Sequence, residues 1–253
     1  MNNNKMSGIV NHKELLSVNS TNDYLMALAC ITPLEECFAV SALSQTAGKG
    51  QRGNSWLSAP GKNITFSIIF YPDFLQPSQS FLLSETVALG VRDAVNELVD
   101  SVEIKWPNDI FYHNRKLGGI LIENSLIENR ILHSIAGIGL NINQKHFGAN
   151  MPLAVSIAQL LDREIEIKPL LARLIDAIRS RYAALRAGDF DVIRNDYHAA
   201  LYRKEGFFAY KDANGRFEAK INHVSDDGQL HLIDSQGNSR CYWHKQIIQI
   251  ITP

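Results

Sequence analysis

The chain has 253 residues, with 25 lysines and arginines against 26 aspartates and glutamates and a formal net charge of −1 at pH 7. This balance excludes bulk attraction to nucleic acid or to an anionic membrane, so any anion binding must come from local clusters. Cys30, Cys37 and Cys241 are sparse and predict neither a disulfide framework nor a zinc site. The sequence shows no signal-peptide pattern and no apolar run of transmembrane length, so we expect a cytoplasmic protein.

The first four fifths of the chain predict an α+β domain. A helix is expected to begin at Ser20 or Thr21, whose side chains can cap its free N–H groups. The remaining segments follow from hydrophobic periodicity and from the turn residues between them. We expect helices at 78–99, 156–161, 168–188 and 190–202, and strands at 37–44, 63–71, 102–106, 109–113, 116–124 and 130–143, the last four as an antiparallel meander.

The pattern changes near Arg203–Glu205. From Gly206 onward, short β-rich runs alternate with the turns "DANG", "SDDG" and "DSQG". Such spacing is typical of a small antiparallel barrel or sandwich. We therefore predict two domains, a larger one at 1–204 and a small β-barrel domain at 205–253.

A basic, glycine-rich loop joins the strands predicted at 37–44 and 63–71. Its centre, "GKGQRG" (48–53), alternates glycines with Lys49 and Arg52. Glycines permit positive φ and a close approach of backbone to ligand, and successive N–H groups in such turns bind anions. The spacing of a Walker A motif is absent. Taken alone, the segment is somewhat more typical of a flexible, solvated loop than of a phosphate-binding loop.

A second candidate is "KWPNDIFYHNRKLGGILIE" (105–123). Lys105, Asp109 and Lys116 lie in otherwise apolar, strand-like surroundings, where charges must be paired or used. A chain reversal near 114–115 would place Lys116 beside a shared pocket, and Gly118–Gly119 would let a ligand approach. The alternative is an ordinary hairpin with a structural Lys–Asp pair.

Two weaker signals complete the set. "GIGLNIN" (137–143) has alternating glycines in a strand and two asparagines able to read a purine edge, or it is simply a glycine-rich edge strand. "STN" (20–22) lies at a helix N-terminus, which attracts anions, or it is plain N-capping. The histidines and Trp106 and Trp243 are interpreted as structural, with His113 and His133 unassigned.

The order and spacing of "STN", "QTAGKGQRGNSW", "KWPND", "RKLGGILIE" and "GIGLNIN" resemble the ligase domain of biotin protein ligases. The resemblance covers roughly residues 15–145, and the small β-rich C-terminal segment matches the family's terminal β-barrel. It implies an α+β fold with a mixed, mainly antiparallel sheet packed with helices, like a class II synthetase. About 15 residues precede the first motif, so the sequence resembles the short monofunctional form without a DNA-binding domain.

The resemblance implies a biotin site and an adenylate site. Residues matching the biotin site are Ser20, Thr21, Asn22, Gln45, Gly48, Lys49, Gly50, Gln51, Lys116 and Gly119. Residues matching the ATP or adenylate site are Lys49, Gln51, Arg52, Trp56, Asn108, Lys116 and Asn141, with Trp56 packing on adenine and Asn141 recognising it. The catalytic set implied is Lys116, Lys49, Arg52 and Asp109, and Asp109 is the candidate metal ligand.

The loop departs from the family's usual Gly-Arg-Gly-Arg opening. Lys49 keeps the positive charge but loses bidentate geometry, and Gln51 stands where many members place an arginine that holds the adenylate. Arg52 is the neighbouring cation that could substitute for it. The sequence leaves open which residue grips the phosphate.

The implied activity is ATP-dependent biotinylation of a lysine in a biotin carboxyl carrier protein, through biotinyl-5′-AMP. ATP, Mg²⁺ and biotin are the implied small molecules, and the chain is expected as a monomer or homodimer with no nucleic acid or membrane partner. A lipoate–protein ligase and a non-catalytic biotin-sensing module are the alternatives.

Overall fold

The computed structural model describes residues 11–251, and for Arg52 it describes the backbone only. No helix in that range is long and apolar enough to cross a membrane. Five helices are present: α1 (Thr21–Ile31), α2 (Phe81–Asn96), α3 (Ile157–Leu161), α4 (Ile167–Arg186) and α5 (Phe190–Ala199). The strands are β1 (His12–Leu15), β2 (Ala39–Ala42), β3 (Ile64–Phe70), β4 (Val102–Lys105), β5 (Asp109–Tyr112), β6 (Arg115–Ile127), β7 (Arg130–Leu140), β8 (Phe208–Asp212), β9 (Gly215–Val224), β10 (Leu230–Asp234), β11 (Ser239–Tyr242) and β12 (Ile248–Gln249).

Seven strands form one large sheet in the order β1-β2-β3-β7-β6-β5-β4. Only β1 and β2 run parallel, so the predicted mixed, mainly antiparallel α+β sheet is confirmed. The meander β4 to β7 also follows the prediction. Strand β1 was not predicted, because "HKEL" is short, polar at its centre and without the alternation that marks a half-buried strand.

Helices cover both faces of the large sheet because its central strands are buried on both sides. On β3, Ile68 and Phe70 face α2 and α4, while Ile69 between them packs with Leu25 of α1 on the opposite face. Gly90 lets α2 and α4 approach closely, since a Cβ there would lie 2.6 Å from the Cα of Ile178. The face of the sheet that carries α1 also carries the candidate site.

The C-terminal strands form a separate antiparallel sheet in the order β11-β10-β9-β8-β12. The predicted β-rich segment is confirmed, but the predicted closure into a barrel is not seen in the strand pairing. Strand β12 has two residues and pairs with β8, and β11 pairs with β10, so both remain edges of an open sheet within residues 11–251.

The second sheet packs directly on the first part of the chain. The indole Nε1 of buried Trp106 donates to the carbonyl of Gly228 at 3.1 Å. Arg194 on α5 donates hydrogen bonds to both carboxylate oxygens of Asp226, from Nε to Oδ1 at 2.8 Å and from Nη2 to Oδ2 at 2.7 Å. The two parts share one hydrophobic core, and the division at 204/205 stays a prediction.

Candidate active site

A cleft opens on the face of the large sheet that carries α1. The N-terminal turn of α1, the loop after β2 and the strands β5, β6 and β7 form its walls. Twenty residues line it: Ser20, Thr21, Asn22, Gln45, Lys49, Gly50, Gln51, Asn54, Ser55, Trp56, Asn108, Asp109, Lys116, Gly119, Ile120, Leu121, Gly137, Ile138, Gly139 and His244. All five sequence motifs therefore contribute to one place.

A buried hydrogen-bond network forms one end of the cleft at the start of α1. Gln45 Oε1 accepts from the backbone N–H of Thr21 at 2.7 Å and from its hydroxyl at 3.0 Å. Ser20 caps the helix by accepting from the N–H of Asp23 at 3.4 Å. The network fixes Gln45 and leaves its amide nitrogen near the backbone of Gly48.

Asn22 is the most constrained polar residue of this end. Its amide nitrogen donates to Glu123 Oε2 at 2.7 Å, and its oxygen accepts from Ser67 Oγ at 2.5 Å. Gly137 on β7 makes room for it, because a Cβ there would lie 2.2 Å from Asn22 Oδ1. Gly137 of "GIGLNIN" thus permits a close approach, and β7 lies between β3 and β6, so the alternative of a glycine-rich edge strand is wrong.

The basic loop is folded as a short hairpin. The N–H of Trp56 donates to the carbonyl of Gly48 at 2.8 Å, and the N–H of Gly50 donates to that of Asn54 at 2.7 Å. Gly53 has φ of +85°, the conformation that favours glycine, whereas Gly48 is needed because a Cβ there would meet the Trp56 carbonyl oxygen at 2.5 Å. Positive φ, one of the two reasons for glycine given by the sequence, holds at Gly53, whereas Gly48 is required by contact within the hairpin itself.

Lys49 ties this hairpin to α1. Its ammonium lies 2.5 Å from Asp23 Oδ1, in a pair whose side chains are about half exposed. The hydrogen bond to Asp23 raises the pKa of Lys49, which stays cationic over the neutral range. Exposed pairs of this kind contribute at most about 1 kcal/mol, so an incoming anion can compete for the lysine.

Trp56 lies across the floor of the cleft. Gly139 accommodates its ring, since a Cβ there would lie 2.3 Å from Trp56 Cε2, and the Lys116 ammonium lies 5.9 Å from the ring centroid. The indole Nε1 is buried with no hydrogen-bond partner among the described residues. A buried donor without an acceptor costs free energy that a bound ligand or water can recover.

Three charged side chains meet on one face of three adjacent strands. Lys116 Nζ of β6 lies 2.6 Å from Asp109 Oδ1 of β5, and Lys105 Nζ of β4 lies 4.0 Å from Asp109 Oδ2. Burial is the main cause that lowers the pKa of Lys105, against the opposing effect of Asp109. Gly119, opposite Asp109 in the ladder, leaves the space above this group open.

A β-bulge puts Lys116 on this face. The register pairs Ile110 with Gly118 but Phe111 with Lys116, so Leu117 is an extra residue on β6. Without it, Lys116 would point to the opposite face from Asp109, since successive side chains alternate. The predicted approach of Lys116 to a shared pocket is confirmed.

Family comparison decides the identity of the fold. Residues 15–141, about half of the chain, match the biotin/lipoate A/B protein ligase family. The chain belongs to this family. A Bacillus subtilis protein named bifunctional ligase/repressor BirA is 30% identical over 209 residues, which are 80% of this chain and 63% of that protein. The chain thus spans less than two thirds of that relative's length.

A second relative is covered almost completely. The Paracoccus denitrificans protein named biotin–[acetyl-CoA-carboxylase] ligase is 30% identical over 227 residues, 86% of this chain and 92% of that one. Among solved structures, the Aquifex aeolicus biotin protein ligase in complex with biotin and ATP matches with a TM-score of 0.78 and 21% identity, over 96% of this chain and 100% of that chain. At this identity the likeness shows the fold alone.

Two predicted site residues of this biotin/lipoate ligase-family chain, Asn141 and Gly48, lie apart from the cleft lining. Asn141 is buried, and its amide donates to the carbonyls of Lys116 at 3.4 Å and Val155 at 3.2 Å. Gly48 acts through the hairpin backbone. The side chain of Arg52 lies outside the described part of the structure, so its partnership with Gln51, which does line the cleft, stays a prediction. Asn108 lines the cleft but also locks its turn by donating to Ile120 O at 2.6 Å.

Sequence reasoning missed His244. This residue, interpreted from the sequence as structural, lines the cleft from the C-terminal part of the chain, with its ring 6.0 Å from that of Trp106. No motif marks it, because it approaches from the second sheet. Asn54, Ser55 and Gly139 were also not assigned, although the sequence flagged the loop and the alternating glycines that contain them.

The residues present do not form a magnesium site by themselves. No group of three or more metal-ligating side chains occurs within residues 11–251. Asp109 offers one carboxylate, and each of its oxygens faces a lysine. Mg²⁺ usually combines one or two carboxylates with substrate phosphates, so a role for Asp109 toward the metal stays a prediction and no step below uses it.

Proposed function

We propose that this chain attaches biotin to a lysine of a biotin carboxyl carrier domain, through biotinyl-5′-AMP. The observation that carries the proposal is the placement of Lys116, Lys49 and Gln45 around one cleft that ends at the start of α1. Relatives named as biotin ligases support the choice of substrate. We further propose a cytoplasmic protein, monomeric or homodimeric, with no nucleic acid or membrane partner.

The first step would join two anions. A carboxylate oxygen of biotin attacks the α-phosphorus of ATP, the bond from that phosphorus to the bridging oxygen breaks, and pyrophosphate leaves with the electron pair. Coulomb repulsion between the reactants is severe in a poorly solvated cleft. Lys116, freed from Asp109, would bridge the carboxylate and the α-phosphate, and Lys49, with Arg52, would supply further charge from the loop.

The hairpin that carries Lys49 would act as a lid over the adenylate. Its attachment to α1 is the exposed Lys49–Asp23 pair, which a phosphate can replace with little loss. Exclusion of water by the lid would protect the mixed anhydride from hydrolysis. Trp56, at the base of the same hairpin, would pack on the adenine ring.

The second step would consume the anhydride. The amine of the acceptor lysine attacks the acyl carbon of biotinyl-AMP, the acyl–oxygen bond breaks, and AMP leaves. Once Lys116 turns to the phosphate, Asp109 Oδ1 is open to accept a hydrogen bond from that amine. We therefore assign Asp109 the role of orienting the acceptor lysine.

Two other functions remain as alternatives, a lipoate–protein ligase and a non-catalytic biotin-sensing module. The family that matches includes lipoate ligases by name, which is the observation that keeps the first alternative. One experiment separates all three. The chain is incubated with ATP, Mg²⁺ and either biotin or lipoate, and pyrophosphate release and carrier-domain labelling are followed. Our proposal predicts both signals with biotin; labelling with lipoate alone, or biotin binding without pyrophosphate, would reject it.

A further inference from the structure

A row of polar side chains in hydrogen-bond contact crosses the α1 end of the cleft. Glu123 of β6 contacts Asn22 at 2.7 Å, Asn22 contacts Ser67 of β3 at 2.5 Å, and Ser67 contacts the hydroxyl of Thr21 at 2.7 Å. Asn22, Ser67 and Thr21 are buried, whereas Glu123 is partly exposed. Thr21 and Asn22 line the cleft, but Glu123 and Ser67 do not. Glu123 therefore reaches the cleft only through its neighbours in this row.

Glu123 decides which way the Asn22 amide points. An ionised carboxylate accepts hydrogen bonds and cannot donate them, so the amide must turn its nitrogen toward Glu123. The carbonyl oxygen of Leu121, 3.4 Å from the same nitrogen, is also an acceptor. Asn22 Oδ1 then points to Ser67, in the space that Gly137 leaves by lacking a Cβ. A flipped amide would set two acceptors against each other at Glu123.

The orientation of Asn22 passes along the two hydroxyl groups. Ser67 has a single hydroxyl proton, and Asn22 Oδ1, which has none, takes it. The contact between the two hydroxyls then needs the proton of Thr21, which is shared between Ser67 Oγ and Gln45 Oε1, 3.0 Å away. The Thr21 oxygen accepts none of these hydrogen bonds. Since Thr21 lines the cleft, its oxygen is available to a ligand as an acceptor.

The urea ring of biotin has the groups that this end of the cleft calls for. In the proposed function Lys116 binds the carboxylate of biotin, so the ring, at the other end of the molecule, extends toward α1. That ring carries N–H donors and a carbonyl acceptor, whereas the dithiolane ring of lipoate has no N–H group. Gln45, whose oxygen accepts from the backbone N–H of Thr21, keeps its amide nitrogen as a donor beside Gly48. An acceptor and a donor therefore lie side by side.

We infer that Glu123 is a positioning residue, which sets the Thr21 hydroxyl to accept a hydrogen bond from an N–H of the urea ring of biotin. The inference rests on the proposed function, because it takes biotin as the ligand. Glu123 acts through Asn22 and Ser67 and does not touch the ligand itself. It thereby contributes to the selection of biotin over a ligand whose ring has no N–H group.

Exchanging the acceptor at position 123 for a donor is the direct test. In Glu123→Lys the Asn22 amide must flip, so that Ser67 donates to Thr21 and the Thr21 oxygen loses an acceptor site. We expect biotin binding, measured by calorimetry, to weaken roughly tenfold. Glu218→Lys makes the same change of charge at an exposed position of β9 and should bind biotin as the wild type does. Equal biotin affinity in Glu123→Lys and the wild type would overturn the inference.

A second substitution tests whether the orientation of the row, and not damage to the fold, causes the loss. Adding Asn22→Asp to Glu123→Lys introduces a carboxylate that accepts from the new lysine and from Ser67. The Ser67 and Thr21 hydroxyls then recover their wild-type orientation, so we expect the double variant to regain most of the biotin affinity. Asn22→Asp alone places two carboxylates together and should bind biotin weakly. A double variant as weak as Glu123→Lys would contradict the inference.

Analogues of biotin separate positioning from a general loosening of the site. Two cyclic carbamates, in which a ring oxygen replaces one or the other urea N–H, each lack one donor. One of them has lost the N–H that Thr21 accepts, so Glu123→Lys should barely change its affinity. The other analogue should be weakened as biotin is. Equal weakening of both analogues would indicate general damage and would reject the positioning role.

Failure of the proposed function gives a different result. A wild-type chain that binds biotin without forming biotinyl-AMP rejects the adenylation, yet calorimetry still reports whether Glu123 governs binding of the ring. A wild-type chain that binds no biotin rejects the proposed function at its first step. If the wild type binds and adenylates biotin while Glu123→Lys binds it equally well, the proposed function stands and the role of Glu123 is wrong.

Discussion

Lys116 and Asp109 meet at 2.6 Å because a bulge in β6 turns Lys116 onto the face of the sheet that carries Asp109. The pair holds the central cation of the cleft in place before substrates arrive. Lys105, on the next strand, faces the second oxygen of the same carboxylate. One carboxylate, Asp109, therefore faces a lysine on each of its two neighbouring strands.

Removing Lys116 should stop adenylate formation. Lys116→Ala deletes the cation nearest the point where two anions must meet, so we expect biotinyl-AMP formation to fall on the order of 10²–10³-fold or more. Single-turnover formation of biotinyl-AMP is the measurement. Lys62→Ala, which removes an exposed lysine paired with Glu164, should leave the rate unchanged. Near-normal adenylate yield in Lys116→Ala would remove this lysine from the catalytic role.

Replacing Gly48 should weaken biotin binding more than replacing Gly50, because Gly48 is the more crowded position in the hairpin. In Gly48→Ala the new methyl group would lie 2.5 Å from the Trp56 carbonyl oxygen, which forces the hairpin apart, whereas in Gly50→Ala it would lie 3.3 Å from Asn54 Cβ, a milder contact. We expect roughly tenfold weaker biotin binding for Gly48→Ala, equivalent to about 1.4 kcal/mol, and a smaller change for Gly50→Ala. Calorimetry decides, and equal affinities would argue against an ordered hairpin at the site.

Trp56 should report occupancy of the cleft. Its indole nitrogen is buried without an acceptor in the described structure, and its ring lines the cleft, so a bound ligand must change its surroundings. We expect addition of biotin and ATP to change tryptophan emission in the wild type and in Trp243→Phe, but not in Trp56→Phe. An unchanged response in Trp56→Phe would place the ligand elsewhere.

Glu85 should make stability fall as pH rises. This α2 residue is 2% exposed with one carboxylate oxygen unpartnered in the described structure, and burial raises its pKa to about 8, with Asp226 adding to the shift and Arg194 opposing it. Below the ordinary pKa of 4.5 the carboxyl is protonated in both states and costs nothing. Between these values the folded state binds the extra proton, so the free energy of unfolding decreases by about 1.4 kcal/mol per pH unit at most.

Glu85→Gln isolates this effect. The variant should match the wild type near pH 4.5 and become increasingly more stable than it toward pH 8, as measured by chemical denaturation at each pH. Glu97→Gln, an exposed glutamate paired with Arg173, is the control and should show no such divergence. Parallel stability curves for Glu85→Gln and the wild type would contradict a protonated Glu85.

The parts of the sheet and of the site that depend on local residue patterns were predicted from the sequence. Hydrophobic alternation predicted β3 and the meander of β4 to β7 to within a few residues. The glycines at 137 and 139 were compatible with a close approach or with an edge strand, and the structure shows close approaches by Asn22 and Trp56. Charges in apolar strands marked Lys105, Asp109 and Lys116. These features can be predicted from sequence because a charge in an apolar strand, or a glycine within a strand, is destabilising unless the local structure requires it.

Features set by tertiary contacts were not predicted. Nothing in "HKEL" requires a strand, and β1 exists because β2 offers it a parallel partner. The bulge at Leu117 depends on the pairing of β5 with β6, and His244 reaches the cleft only because the second sheet docks on Trp106. Tertiary contacts can also occupy a residue that the sequence assigned to ligand binding. Asn141 suits base recognition, but here it is buried and its amide donates to backbone carbonyls.

The most direct test is to count the acyl-adenylate on the protein. The purified chain is mixed with biotin, ATP and Mg²⁺ without a carrier, and the bound product is quantified by mass spectrometry together with the pyrophosphate released. The proposed function predicts about one biotinyl-AMP per chain, an equal amount of pyrophosphate, and almost none of either without biotin. Bound biotin with no adenylate and no pyrophosphate would contradict it.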